Sequence, residues 1–485
     1  MIRSLNIRYI FILLSKILYT EAVFMSTSLI FAFLNDENTI IPFVFSVSLT
    51  AFTGLLLQLF SIGNKSKDLS TKDTYIVLVL SLLMVCGFGA LPYLLSQYNP
   101  GIANSFFESI SGFTTTGSSV IQNVEILPQS ILWWRSLTQW IGGLGVLVVV
   151  AAILPFLKVG GLHLFSTDSN VLSSEKLMPR IKETAKRLWF IYIMLTISEC
   201  ILLICGEMNI FESLTFAFGT VSSGGFSIKN GSLAGYSQYS QYIVSAFMLV
   251  SGLNFVLLYH ILKGNFKKVI KDEELRVFAG VIIIAIILLS INLIVQNSKT
   301  MYDAVRLSVF HVISIISSTG FSTENYMGWP ILGWALLFVL MFFGACSGST
   351  GGGIRIIRHV LSFKILKNNL MRLTHPKAII TLSLNHKKLD DSAVLPVLSF
   401  IILYFFTFVV ASLIITSTNI DIETSMGAVI SSMGGIGPGI GMVGPTNTYA
   451  HLPLIAKVVL SICMIMGRLE ILPIYLLMSI GFWKN

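Results

Sequence analysis

Four times along this chain a short polar segment closes on a glycine between two apolar stretches. The segments read Gly112-Phe-Thr-Thr-Thr-Gly117, Gly219-Thr-Val-Ser-Ser-Gly224, Ile316-Ser-Ser-Thr-Gly320 and Met433-Gly-Gly-Ile-Gly437. Their setting is lipid. Of 485 residues, 54% are hydrophobic and 11% charged, whereas a soluble domain carries about 25% charged residues; the mean hydropathy is +0.82. Backbone that is neither helix nor strand survives at membrane depth only where protein or a water-filled cavity shields it. Four such breaks therefore require a fold in which they shelter one another, and the simplest one gathers them round a single axis.

The formal charge of +9 raises the question of nucleic acid, and the location of the charge answers it. Most of the 32 Lys and Arg fall in the N-terminal segment, the C-terminal end and four loops, 62–73, 158–187, 263–276 and 355–388. The stretches 35–38, 98–129 and 417–451 hold none. This is the positive-inside pattern, which puts both termini in the cytoplasm. It gives the basic segments anionic lipid, and no nucleic acid, as their partner. Cys86, Cys200, Cys205, Cys346 and Cys463 all sit in apolar stretches, without metal or disulfide spacing, and are expected to be buried small hydrophobes. Arg3 and Arg8 precede an apolar stretch that runs to Leu34 without a small-residue cleavage site. It reads as a retained anchor helix rather than a removable leader.

Apolar runs long enough to cross a bilayer, about 20 residues, lie near 9–34, 39–62, 74–97, 130–157, 187–206, 238–262, 276–296, 331–361, 392–417 and 452–483. An even number of crossings returns the chain to its starting side, in agreement with the charges. The expected fold is an all-α multi-pass membrane protein: an N-terminal helix pair (1–72), then four helix–pore-loop–helix repeats at 73–183, 184–273, 274–389 and 390–485. Recurrence of one plan four times makes pseudo-fourfold symmetry about one pore the natural arrangement. Each repeat holds a half-helix too short to cross, near 102–113, 210–219, 301–315 and 421–432. Glu212, Asp303 and Asp421 suit the N-termini of three of them, and each C-terminal dipole would favour a cation on the axis.

Ordered on the shared glycine, the turns align as Thr115-Thr116-Gly117, Ser222-Ser223-Gly224, Ser318-Thr319-Gly320 and Gly435-Ile436-Gly437. Glycine permits positive φ, and small hydroxyl side chains let four strands converge. No carboxylate lies in the triplets, so backbone dipoles would replace the water shell of a large monovalent cation, rather than bind a divalent ion that needs carboxylates. Potassium at the main-chain oxygens of Thr115, Thr116, Ser222, Ser223, Ser318, Thr319, Gly435 and Ile436 is the expectation.

At these residues the chain resembles the TrkH, KtrB and HKT superfamily of potassium transporters. Further stretches carry the resemblance: Trp134-Arg-Ser-Leu-Thr-Gln-Trp-Ile-Gly-Gly-Leu-Gly145, Pro179-Arg-Ile-Lys-Glu-Thr-Ala-Lys186, Cys346-Ser-Gly-Ser-Thr-Gly-Gly-Gly-Ile354 and Gly467-Arg-Leu-Glu470. It covers nearly the whole chain, and the extra N-terminal helix pair fits the TrkH branch. The resemblance implies a potassium-selective filter, a homodimer with one pore per protomer, a cytosolic TrkA-like nucleotide-binding regulator and a bacterial inner membrane. Two departures stand out. The fourth turn lacks the asparagines the family pattern has there, and Gly351 and Arg355 stand where it has Ala and Lys.

The segment Gly344-Ala-Cys346-Ser347-Gly348-Ser349-Thr350-Gly351-Gly352-Gly353 interrupts the second helix of the third repeat. Its glycines and hydroxyl residues cannot continue a regular helix, each glycine costing about 1 kcal/mol relative to alanine. The resemblance makes it an intramembrane gate beneath the filter; close helix packing through small residues is the other reading. Arg468 lies inside the last apolar run, where an ionisable residue needs a partner. It either faces the permeation path near the gate, as the resemblance implies, or ties helices together through Glu470 or a carbonyl. Glu108, nine residues before Gly117, is aligned with Thr215, His311 and Ala428, and either attracts cations or caps groups behind the filter. His311 reads as a packed histidine; the other histidines lack ligand spacing. No nucleophile–base pair or phosphate loop points to an enzyme. A proton- or sodium-coupled symporter remains the alternative, since discontinuous helices also build transporter sites.

Overall fold

The structure, a computed structural model, describes residues 5–62, 70–153, 174–376, 381–385, 387–389 and 394–484. His163, His386 and the start of the basic stretch 158–187 lie outside the described residues.

The N-terminal pair comprises Ile7–Ser26, continued by Ser28–Leu34, and Ile40–Phe60. The two helices approach closely where Gly54 faces Tyr19, whose hydroxyl donates to Gln58 Oε1 at 3.0 Å. The pair is stitched to the next unit by Thr39 and Ser130, whose hydroxyls lie 2.7 Å apart, and by Trp133 Nε1 donating to Thr27 Oγ1 at 2.9 Å.

Four stretches of similar plan follow. The first is Thr71–Gly89, the half-helix Ile102–Phe113 and Gln129–Ile153; the second is Ser174–Ile204, Ile210–Val221 and Gln238–Ser251. The third is Glu273–Asn297, Met301–Ile316 and Ile331–Leu340; the fourth is Val394–Thr416, Ile422–Gly434 and Leu454–Arg468. The half-helices fall where the hydropathy breaks place them. Asn209 and Glu212 form a reciprocal capping box, and the Thr300 and Asp421 side chains accept from the backbone of Asp303 and Thr424, each satisfying donors that a helix start leaves open. The first begins differently, at Gly101 with φ +99° and no side-chain cap.

The long helices depart from the hydropathy reading. Among the described residues, six helices are long and apolar enough to cross a membrane, or seven if one bent pair counts as a span, against ten apolar runs. The expected helix 238–262 is two helices, Gln238–Ser251 and Phe255–Leu262, bent by 105°. The break frees the Gly252 carbonyl to accept from Cys346 N at 3.0 Å, and Asn254 caps the second piece at Val256 N, 2.9 Å. The run 331–361 stops at Leu340 and resumes as Ile356–Thr374. The run 452–483 breaks after Arg468, where Glu470 takes φ +63°. Helix Ser174–Ile204 also runs across the 183/184 boundary drawn from sequence, because its charged first turns continue the helix beyond the apolar run. Cys205 is exposed, since it follows the end of that helix; the other four cysteines are buried as expected.

Candidate functional site

The four polar turns share one backbone. Each half-helix closes with an amide reaching back five residues: Thr116 N to Ser111 O (2.9 Å), Gly224 N to Gly219 O (2.8 Å), Thr319 N to Ser314 O (2.9 Å) and Ile436 N to Ser431 O (3.0 Å). The residue before each of these amides has positive φ, at Thr115 (53°), Ser223 (55°), Ser318 (60°) and Gly435 (65°). So does the residue after: Gly117 (82°), Gly225 (73°), Gly320 (80°) and Gly437 (98°).

This pattern moves the second turn by one residue. Its equivalent of Thr115-Thr116-Gly117 is Ser223-Gly224-Gly225, not Ser222-Ser223-Gly224. Ser222 is the helix cap, like Thr114 and Ser317. Sequence alignment took the first glycine of a pair; the signal for the second was the following aromatic, since Gly225-Phe226 matches Gly320-Phe321. With the register corrected, the residue aligned with Glu108, His311 and Ala428 is Phe216 rather than Thr215.

The turns meet in a closed cycle. A Cβ on Gly117 would overlap the Gly224 carbonyl oxygen, one on Gly225 that of Thr319, and one on Gly320 that of Ile436. A Cβ on Gly437 would lie 2.9 Å from the Thr116 oxygen and return the cycle to the first turn. In every case a final glycine abuts the preceding-position carbonyl of the next turn. No side chain fits there, and only glycine takes the required φ without strain.

Side chains behind the turns hold them in place. Gln139 donates from Nε2 to Gly224 O (2.7 Å) and accepts from Phe226 N (3.0 Å). The Gly437 carbonyl accepts from Ser431 and Tyr449 hydroxyls, both at 2.8 Å, and from Ser118 at 3.1 Å. Tyr326 donates to Gly439 O at 2.7 Å. Glu108 lies behind the first turn and is fully buried. It accepts from Arg135 Nε (2.9 Å), Ser119 Oγ (3.0 Å) and Val120 N (3.0 Å). Arg135 also donates to Ser227 O at 3.1 Å and stacks 4.2 Å from the Phe226 ring centroid, so the pair ties the first turn to the second. Both His311 nitrogens lie against carbonyls, Leu307 at 2.9 Å and Glu324 at 3.2 Å, with Trp329 packed on the ring. Gln139, Arg135, Tyr326 and Tyr449 were missed as site residues. The Trp134–Gly145 stretch carried the only hint, because polar residues recur there within an apolar helix.

The interrupted segment of the third stretch packs under the turns. Thr350 Oγ1 lies 2.8 Å from Ser223 Oγ and donates to Val221 O at 3.0 Å, while Ser318 Oγ donates to Gly352 O at 3.4 Å. A Cβ on Gly352 would stand 2.5 Å from Gly434 O, and one on Gly351 2.9 Å from Ser317 O. The segment thus touches the second, third and fourth turns. Gly344 N donates to Ile354 O at 2.9 Å, which pinches its ends together, while Gly348 and Gly353 take positive φ. Ser349 Oγ donates within the segment to Cys346 O at 2.6 Å. Arg468 donates from Nη1 to Thr350 O (2.9 Å) and from Nη2 to Gly142 O (2.8 Å). Its tie is therefore to carbonyls of the segment and of the first stretch, and not to Glu470. Glu470 instead pairs with Arg355 (3.3 Å) and Arg358 (2.7 Å). Gly351, Gly352, Gly353, Arg355, Arg468 and Glu470 line a small cavity at this point.

Comparison with known proteins agrees with this architecture. The profile of the TrkH family, described as cation transport protein, matches residues 42–483. The Trk system potassium uptake protein TrkH of Salmonella typhimurium is 34% identical over 426 residues, covering 86% of this chain and 87% of that one. TrkH of Halomonas elongata is 33% identical over 489 residues, covering 99% and 100%. The crystal structure of the potassium transporter TrkH from Vibrio parahaemolyticus superposes with a TM-score of 0.90 at 32% identity, covering 99% of this chain and 100% of that one. The match runs through every turn and the interrupted segment, and the chain belongs to the TrkH family of cation transport proteins.

Proposed function

We propose that this chain takes up potassium across a bacterial inner membrane, with both termini cytoplasmic, through a gated channel-like pore. The four repeats, whose first helices begin at Thr71, Ser174, Glu273 and Val394, stand in pseudo-fourfold arrangement after the N-terminal pair. The carrying observation is the cycle in which each turn's glycine abuts a carbonyl of the next. Four like backbones brought that close supply main-chain oxygens from all sides, which is the coordination a dehydrated monovalent cation needs. Potassium is held by the carbonyls of Thr115 and Thr116, Ser223 and Gly224, Ser318 and Thr319, and Gly435 and Ile436. Four half-helix C-termini face it with their negative ends.

The interrupted segment 344–353 is the gate. Its contacts with three turns support this role, and Arg468 holds it there through the Thr350 carbonyl. The names of the relatives support potassium as the cargo. A homodimer and a cytosolic TrkA-like regulator bearing on the basic cytoplasmic face complete the reading. The test is ion flux through the purified protein in liposomes, comparing potassium, rubidium and sodium with and without a proton gradient. Rubidium uptake into potassium-loaded liposomes, against the outward potassium gradient and indifferent to the proton gradient, is the expected result. Uptake that needs a proton or sodium gradient establishes a symporter instead.

A further inference from the structure

Three consecutive acids, Asp272-Glu273-Glu274, open the outer helix of the third stretch, and each has its own grip. Glu274 is buried, 4% exposed, and reaches into the interrupted segment. Its Oε1 accepts from Ser347 N at 2.6 Å and Ile357 N at 3.2 Å, and its Oε2 accepts from Ser347 Oγ at 2.7 Å. One carboxylate thus holds the segment itself, at Ser347, and the start of the helix that leaves it, at Ile357. Its neighbours face the cytoplasmic hairpin in which Ser383 and Leu384 pair with Lys388 and Lys387. Glu273 Oε1 accepts from Asn385 N at 3.1 Å, and Glu273 N donates to Asn385 Oδ1 at 2.8 Å. Asn385 Nδ2 donates to Asp272 Oδ2 at 2.9 Å. Lys364, on the helix leaving the segment, pairs with Glu273 and donates to Ser383 O at 2.7 Å. Leu382 and Leu384 are buried and anchor the hairpin in the core.

We propose that these acids are positioning residues that couple the cytoplasmic hairpin to the gate, an inference that rests on reading segment 344–353 as the gate. Adjacent residues on one helical turn cannot move independently. A force on the hairpin, from whatever docks at the basic cytoplasmic face, therefore passes through Asn385 and Lys364 to Glu273. It then passes along one peptide unit to Glu274 and the Ser347 amide. While the hairpin is seated, the carboxylate of Glu274 keeps the segment pressed against the turns. Displacement of the hairpin withdraws it.

The experiment uses the full chain in liposomes, with rubidium flux and the labelling rate of Cys346 as two readouts. Cys346 is 1% exposed, and Cys205, the one exposed thiol among the described residues, is first replaced by serine. E274A is expected to raise basal flux several-fold and to speed Cys346 labelling. E274Q restores both, because the amide oxygen still accepts from the two N–H groups and the NH2 can donate to Ser347 Oγ. S347A, which removes only the hydroxyl contact, gives a smaller rise and serves if E274A does not fold. E273A moves both readouts in the same direction, and E273A/E274A goes no further than E274A alone. Wild-type flux and labelling in E274A, while a segment-shortened protein leaks, overturns the coupling and leaves the gate standing. E274Q as leaky as E274A overturns it too, as do additive effects in the double variant.

Discussion

Ser222 and Gly225 show what a single residue of register means in the second turn. Gly225 takes φ +73° and has the Thr319 carbonyl where a Cβ would go, whereas Ser222 caps a helix with an ordinary αR backbone. A side chain at positive φ costs about 1–2 kcal/mol before any clash, and here the Thr319 carbonyl must also shift to make room. Gly225→Ser is therefore expected to distort the turn and lower potassium-over-sodium discrimination, whereas Ser222→Ala keeps it. Reversal potentials in mixed gradients decide between them, and the opposite ranking restores the register aligned on Gly224. Arg468 makes a separate case. Its two carbonyl bonds, at 2.9 and 2.8 Å, hold the segment against Gly142 of the first stretch, and hydrogen bonds to a charged group contribute about 1.5–3 kcal/mol each. Arg468→Ala is expected to raise rubidium flux in liposomes. A destabilised protein without flux, read by thermal unfolding and uptake together, assigns the arginine to helix packing alone.

At the level of elements, the half-helices were legible because capping residues and apolar runs are local signals. Asn209-to-Glu212, Thr300-to-Asp303 and Asp421 carry their start sites in the sequence itself. The breaks in the second helices were not legible to the same degree. Hydropathy averages over a window, so Gly252-Leu253-Asn254 passed as part of one span although the chain there turns by 105°. The turn answers a tertiary demand, since Cys346 N needs the Gly252 carbonyl and Gly348 O needs Phe255 N. The interrupted segment was visible from its glycines; its place beneath the turns came from the family resemblance, and the particular contacts with three of them only from the structure. Shortening 345–353 removes the contacts of Thr350 with Val221 and of Gly352 with Ser318. It is expected to leave a pore that conducts without stimulus, and unchanged basal rubidium flux in a folded variant counts against a gate.

Over the whole molecule, charge and apolarity act at different depths. Paired charges such as Glu108 with Arg135 and Glu470 with Arg355 and Arg358 are held inside, where a lone ion would be costly. Of the basic residues, Lys263, Lys267, Lys268 and Lys271 fall on or beside the short helix Phe266–Ile270, and Lys364, Lys367 and Arg372 run along Ile356–Thr374 past the interrupted segment. The proposed orientation, with both termini cytoplasmic, rests on the distribution of basic residues along the chain. Cysteines introduced at exposed positions such as Glu125 and Lys267 are expected to react with impermeant reagents from opposite sides of the membrane, Lys267 from the cytoplasm. Labelling of both from one side refutes the orientation drawn from the charges.

By itself the sequence determined the membrane class, the half-helices, the four glycine turns and the interrupted segment. Each of these is written in residues near one another, as periodicity, capping or loss of helix propensity. Only the tertiary structure decided that Gly225 and not Gly224 closes the second turn, that Glu108 is neutralised by Arg135 behind the turns, and that Arg468 reaches carbonyls rather than Glu470. Those outcomes depend on which groups, far apart in the chain, arrive within hydrogen-bonding distance. A buried polar atom takes whichever partner the packing brings to it.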